Sequence, residues 1–126
     1  MYHQQFTIGI VEDDEELRET LGHLLKFYGY ETELYASATD FVGAVGDTQS
    51  TCLLVDINLE RMSGLEMSRR LKDMGYTFPI VFMTGVADRA VHTAARKQGC
   101  IALLQKPFFP NELLDALANA MKPSPS

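Results

Sequence analysis

The chain has no tryptophan, only two cysteines, three histidines and five prolines in 126 residues. Two cysteines do not make a disulfide framework. Neither Cys52 nor Cys100 stands in a C-x-x-C or Cys/His ligand spacing, so cysteine-bound zinc and dithiol chemistry are excluded. Both read as small core residues, and this usage points to the cytosol. No apolar run approaches the roughly 18 residues that span a bilayer. The opening MYHQQFTIG lacks a basic region followed by a long apolar stretch, so it does not read as a secretory signal. Basic residues are outnumbered, 11 against 17 acids, for a net charge of -6. A domain of that balance lacks the basic face with which a protein grips nucleic acid. The expected partners therefore include neither nucleic acid bound directly by this domain nor a membrane.

What is present is a strand-helix alternation in a chain long enough for one domain, with 46% hydrophobic residues for its core. Strands read at about 6–11, 31–35, 51–55, 79–83 and 101–105, and helices at about 14–28, 37–46, 63–75, 87–98 and 110–121. Five such units in succession predict an α/β fold with a doubly wound parallel sheet and helices on both faces. The runs IGIV, TCLLV and PIVFM are continuously apolar, as strands covered on both sides should be.

The helix ends are marked. Asp13 or Asp14 caps the first helix, whose Leu17, Leu21, Leu24, Leu25 and Tyr28 share one face, and Gly29 stops it. Ser37 is an N-cap for the second. Ser63 caps the third, with Glu66 as the return half of a capping box. Gly75 and Gly99 end the third and fourth. The domain is expected over 1–121. Residues 122–126 (KPSPS) read as a flexible tail, either a free end or the opening of a linker.

Charged and hydroxyl residues sit where the apolar runs stop. The first run ends in Glu12-Asp13-Asp14, the third strand in Asp56, the fourth in Thr84-Gly85 and the fifth in Lys106-Pro107. Each alone reads as a helix cap or a turn. In an open parallel sheet, however, ligands bind beyond the carboxyl ends of the strands, so these positions converge. Magnesium prefers oxygen ligands and keeps several waters. Asp13 and Asp56 are the candidates for direct ligation, the longer Glu12 for contact through water, and the Ile57-Asn58 loop for a backbone carbonyl. Clustered acids oppose one another's ionisation, a cost that a cation removes. Phosphoryl transfer is mostly positioning and neutralisation of oxygens, work suited to Thr84 and Lys106. Asp56 is the candidate nucleophile, because a carboxylate forms an acyl phosphate. His3, His23 and His92 lie apart from this set, and Phe41, Phe82 and Phe108 read as packing.

With these residues assembled, the chain resembles a response-regulator receiver domain of two-component signalling, over about 6–121. The matching pieces are VEDDEELR, LLVDINLERMSGLE, PIVFMTGVAD and LLQKPF. The resemblance implies a flavodoxin-like (βα)5 sandwich with strand order 2-1-3-4-5, an order that separates Cys52 from Cys100. It implies Asp56 as phosphoacceptor and Glu12 and Asp13 as the acidic pair at Mg²⁺. Asn58 becomes the carbonyl ligand, Thr84 the switch hydroxyl and Lys106 the phosphate-binding lysine before Pro107. It implies a sensor histidine kinase as phosphoryl donor. A phosphorylation-dependent homodimer is expected through helix four, strand five and helix five, with Val91, His92, Ala95 and Leu103 on that face. The protein would catalyse its own phosphorylation and dephosphorylation without being a turnover enzyme.

The stretches MSGLE, MTGVAD and LLQKPF look most like the FixJ-like class, whose receivers usually precede a DNA-binding domain. The output is then transcription, unless the chain is a single-domain receiver acting through protein contacts. Three positions depart from the family pattern: Leu103 where an aromatic is usual, Glu60 where proline is common, and Glu12 for the commoner Asp. Other readings fare worse. An aspartyl-phosphate hydrolase needs an acid two residues after its nucleophile, and position 58 is Asn. A flavodoxin-like electron carrier needs a hydroxyl- and glycine-rich loop where this chain has acids. A pseudo-receiver would lack site residues that are present here.

Overall fold

A computed structural model describes residues 6–85 and 89–122. Five strands and five helices alternate: β1 Thr7–Val11, α1 Glu15–Phe27, β2 Glu31–Tyr35, α2 Ala38–Ala44, β3 Cys52–Asp56, α3 Gly64–Asp73, β4 Ile80–Thr84, α4 Arg89–Lys97, β5 Ala102–Gln105 and α5 Pro110–Ala120. The strands form one parallel sheet in the order β2-β1-β3-β4-β5. Every residue of β3 and β4 is buried, whereas the edge strands β2 and β5 are part-exposed. This is why the central runs read as unbroken apolar stretches and the outer ones do not.

The alternation of side chains along each strand splits the core into two layers. Ile8, Ile10, Leu54, Val81 and Met83 pack with Leu21 and Leu25 of α1 and Leu113 and Leu117 of α5. Val11, Leu53, Val55 and Phe82 pack with Phe41 of α2, Met67 and Leu71 of α3 and Ala95 of α4. Helices α1 and α5 thus cover one face, and α2, α3 and α4 the other.

The caps lie where the residue types require. Asp14, not Asp13, accepts the Leu17 N–H at 3.1 Å; Ser37 accepts from Asp40 and Ser63 from Glu66. Gly29, Gly75 and Gly99 carry φ values of 95°, 93° and 80° at the helix exits, where a side chain would be strained. Some bounds differ from the expectation. β3 and β4 run one residue later, so Asp56 and Thr84 are the last ladder residues, paired with Met83 and Gln105. α2 ends two residues earlier than a 37–46 helix and starts one residue later. Tyr28 is the C-cap of α1 and half exposed, so it leaves the leucine face. The start of the expected 87–98 helix, His3 and residues 123–126 of the tail lie outside the described residues. Both cysteines are free.

One polar cluster ties β2 to the loop before β3. The Glu33 carboxylate accepts from Thr48 Oγ1, from Ser50 Oγ at 2.7 Å, from the Gln49 N–H at 3.1 Å and from Tyr35 Oη at 3.1 Å. Burial pushes this carboxyl up, but those donors together outweigh it and hold it below its ordinary 4.5. A carboxylate lowered on folding adds stability above about pH 4.5 that is lost as pH falls below it. Glu33→Gln should therefore cost about 1–2 kcal/mol at neutral pH. The gap to wild type should close when urea melts are repeated well below pH 4.5. A gap that persists in acid would assign the loss to shape and not to charge.

Candidate functional site

The carboxyl ends of β1, β3, β4 and β5 bring the site together. Glu12 follows β1 and is 1% exposed; Asp56 ends β3 and is 4% exposed; Thr84 ends β4 and is fully buried. Lys106 follows β5, its backbone N–H bonded to the Thr84 carbonyl at 2.8 Å, and its peptide to Pro107 is cis. Glu12, Asp13 and Asp56 each offer a carboxylate oxygen within 4.8 Å of the others.

The ammonium of Lys106 sits between the two buried acids, 2.9 Å from Glu12 Oε1 and 3.1 Å from Asp56 Oδ2. The other Glu12 oxygen accepts the Asp14 N–H at 3.1 Å, and Asp56 Oδ1 accepts the Asn58 N–H at 2.9 Å. Thr84 Oγ1 lies 2.9 Å from the side-chain oxygen of Asn58 and donates to it. Asp13 is exposed and accepts the Glu60 N–H at 3.3 Å. All six residues singled out in the sequence, Glu12, Asp13, Asp56, Asn58, Thr84 and Lys106, therefore belong to one cluster.

The electrostatics follow from that crowding. Burial raises the Glu12 carboxyl, and the nearby Asp56 adds to the rise against the pull of Lys106 and the Asp14 N–H. Burial works to lower Lys106, but its bonds to Glu12 and Asp56 prevail and hold it above its ordinary value. One ammonium among three carboxylates leaves an uncompensated negative charge. The donors are all hard oxygens, clustered within one ion's reach, which fits a divalent cation such as Mg²⁺.

The sequence matches the response regulator receiver domain family over residues 8–118. The chain belongs to that family. Among curated relatives, this receiver is 36% identical over 125 residues to the response regulator protein TmoT of Ectopseudomonas mendocina, covering 99% of the chain and 57% of TmoT. It is 30% identical to the transcriptional regulatory protein FixJ of Rhizobium meliloti over 115 residues, 91% of the chain and 56% of FixJ. The chain thus spans about half the length of the curated relatives it matches. The crystal structure of FixJ-N superposes with a TM-score of 0.88 at 30% identity, covering 94% of each chain. The response regulator StyR gives 0.84 at 34% identity, over 93% of this chain and 59% of StyR. Membership places the receiver in two-component signalling, and its fold is the flavodoxin-like (βα)5 sandwich with strand order 2-1-3-4-5. Among the described residues, no helix is long and apolar enough to cross a membrane.

The surface expected to carry output needs one correction. Ala95 is fully buried against the α2–α3–α4 layer, so it is a core residue and no part of an exposed face. Val91 and Leu103 are half-buried against the same layer. His92, expected to be exposed or at a partner surface, is half-buried, with Nε2 enclosed and without a hydrogen-bond partner among the described residues.

Sequence reasoning gave no role to Gly64 or Arg18, both of which touch this site. An ideal Cβ on Gly64 would lie 2.6 Å from the Asp56 carbonyl oxygen. Arg18 Nη1 donates to the Glu12 carbonyl at 2.9 Å. Residue type in α1 and spacing within SGLE hold no signal for either contact, because each depends on how two elements meet.

Proposed function

We propose that this receiver takes a phosphoryl group on Asp56 from the phosphohistidine of a sensor histidine kinase, with Mg²⁺ held by Asp13, Asp56, the Asn58 carbonyl and, through water, Glu12. The observation that carries this reading is the buried Asp56 carboxylate bonded to Lys106 Nζ beside two further acids. An Asp56 oxygen forms the new bond to phosphorus while the donor's P–N bond breaks. The electron pair of that bond leaves on the imidazole nitrogen, which ends protonated on the donor. Lys106 moves from sharing the carboxylates to neutralising a phosphoryl oxygen, and the Thr84 hydroxyl turns from Asn58 to donate to another. The bound cation supplies the remaining neutralisation of those oxygens. Hydrolysis adds a water oxygen to phosphorus, releasing inorganic phosphate and restoring the Asp56 carboxylate. The chain is in this sense its own catalyst and not a turnover enzyme.

Phosphorylation replaces the single negative charge of Asp56 with about −1.5 to −2 on the phosphoryl group, beside the ends of β1, β4 and β5. The pull on Thr84 and Lys106 is passed to β4, β5 and the neighbouring α4–β5–α5 surface. Leu103 takes part there through packing and not through an aromatic hydroxyl. A homodimer through that surface, and control of transcription by a larger protein of the FixJ kind, are the expected outputs. A groove of about 520 Å³ reaches the site at Lys106, lined by Leu17, Leu21, Leu24, Lys106, Pro107 and Phe108, and offers a protein donor an apolar seat.

Intact-mass analysis after incubation with acetyl phosphate and Mg²⁺ tests the reading. Wild type should gain one phosphoryl group, and neither Asp56→Asn nor wild type in excess chelator should gain any. Wild type that stays unmodified even when quenched early would leave a partner-binding pseudo-receiver as the better description.

A further inference from the structure

Arg18 occupies an awkward place for a cation. It lies one turn into α1, close to the end of the helix where the exposed amides carry partial positive charge and basic side chains are disfavoured. It is nevertheless half-buried instead of extended into solvent. Its guanidinium reaches back over the helix start, the direction side chains take from an α-helix, and donates to the Glu12 backbone carbonyl at 2.9 Å. The amide on the other side of Glu12 is already held, its N–H bonded to the Tyr35 carbonyl at 3.1 Å. The Glu12 carbonyl belongs to the peptide unit that joins Glu12 to Asp13. That unit joins the Cα atoms from which both side chains project, so a displacement of it moves both carboxylates relative to Asp56.

We propose that Arg18 is a positioning residue for the cation site, pinning the Glu12–Asp13 peptide so that both acids face Asp56. The inference rests on the reading of Glu12, Asp13 and Asp56 as a Mg²⁺ site. It makes a prediction of opposite sign to simple charge. Arg18 stands among Glu12, Asp13, Asp14, Glu15, Glu16 and Glu19. If it served only as a countercharge, removing it would make the cluster more negative and strengthen cation binding. If it pins the peptide, removing it weakens binding in spite of the gain in negative field.

The test is calorimetric titration of Mg²⁺ into the full chain as wild type, Arg18→Met and Arg18→Lys, with thermal melts as the control for folding. Met keeps the apolar stem and loses the donor; Lys keeps a donor of similar reach. The expected result is a Kd about tenfold higher for R18M, with R18K near wild type. R18M binding Mg²⁺ as tightly as wild type, or more tightly, overturns the proposal. Should R18M fail to fold, Arg18→Gln carries the same comparison, because its amide is too short to span to Glu12 and the same weakening is expected. Wild type that binds no Mg²⁺ would instead sink the cation-site reading beneath it, an outcome separate from the behaviour of the variants.

Discussion

Lys106→Met is expected to slow phosphoryl uptake from acetyl phosphate by about 10²–10³-fold while Mg²⁺ binds more tightly than to wild type. The two effects part because the ammonium plays opposed roles before and during transfer. At rest, Lys106 Nζ bonds Glu12 and Asp56 at 2.9 and 3.1 Å, the same carboxylates that a cation would use. Removing it withdraws a competitor and leaves a more negative cluster. During transfer, charge spreads over the phosphoryl oxygens, and a preorganised cation aimed at them is lost. If Lys106 served only to neutralise the resting pocket, tighter cation binding would leave the rate unchanged or raise it.

The same variant should reveal what the acids cost the fold. Glu12 and Asp56 are nearly inaccessible, and Met would leave both without their ammonium. Breaking a buried ion pair from one side costs about 3 kcal/mol, and Mg²⁺ should return much of it. Urea melts of K106M with and without Mg²⁺ should therefore differ more than those of wild type. An equal response in both proteins would mean that the carboxylates are already well solvated.

Much of this site was legible because its residues interrupt apolar runs. Glu12, Asp56, Thr84 and Lys106 each follow or end a strand whose interior side chains announce themselves, and a parallel sheet sends all such ends to one side. The one-residue error at β3 and β4 has the same origin. Hydropathy stops at Val55 and Met83, but the ladder continues through Asp56 and Thr84, whose backbones pair although their side chains are polar. Tyr28 and Ala95 misled in opposite directions. Helical spacing placed Tyr28 on the leucine face, but α1 ends before it. Ala95 was assigned to an outer face, yet α4 turns it into the core. What sequence could not hold is contact between elements. Arg18 meeting a carbonyl six residues back, Glu33 gathering Thr48, Gln49 and Ser50 from a loop, and Gly64 lying on Asp56 all depend on tertiary placement.

Gly64 gives the sharpest test of that last kind of contact. It is the first residue of α3, and its N–H bonds the Ile57 carbonyl at 3.0 Å, closing the loop that follows the candidate phosphoacceptor. A methyl group there would meet the Asp56 carbonyl at 2.6 Å, Val55 Cγ1 at 2.9 Å and Ile57 Cα at 3.1 Å. Two of those three atoms are backbone, so relief requires either α3 to lift or the end of β3 to shift. Gly64→Ala should thus cost about 1–3 kcal/mol, the range of an overpacked core position, and slow phosphoryl uptake by displacing Asp56. Helix propensity alone predicts the reverse, since Ala is favoured over Gly within a helix by about 0.5–1 kcal/mol. Gly43 supplies the control. It lies within α2, and a Cβ built on it meets nothing within 4 Å, so Gly43→Ala should stabilise by about that propensity difference. Opposite signs in the two melts would show that the packing of α3 on the Asp56 peptide, and not the helix itself, demands glycine at position 64. A stabilised G64A would mean that the loop after β3 yields readily, and that Asp56 is held by Lys106 and the Asn58 N–H more than by the backbone beneath it.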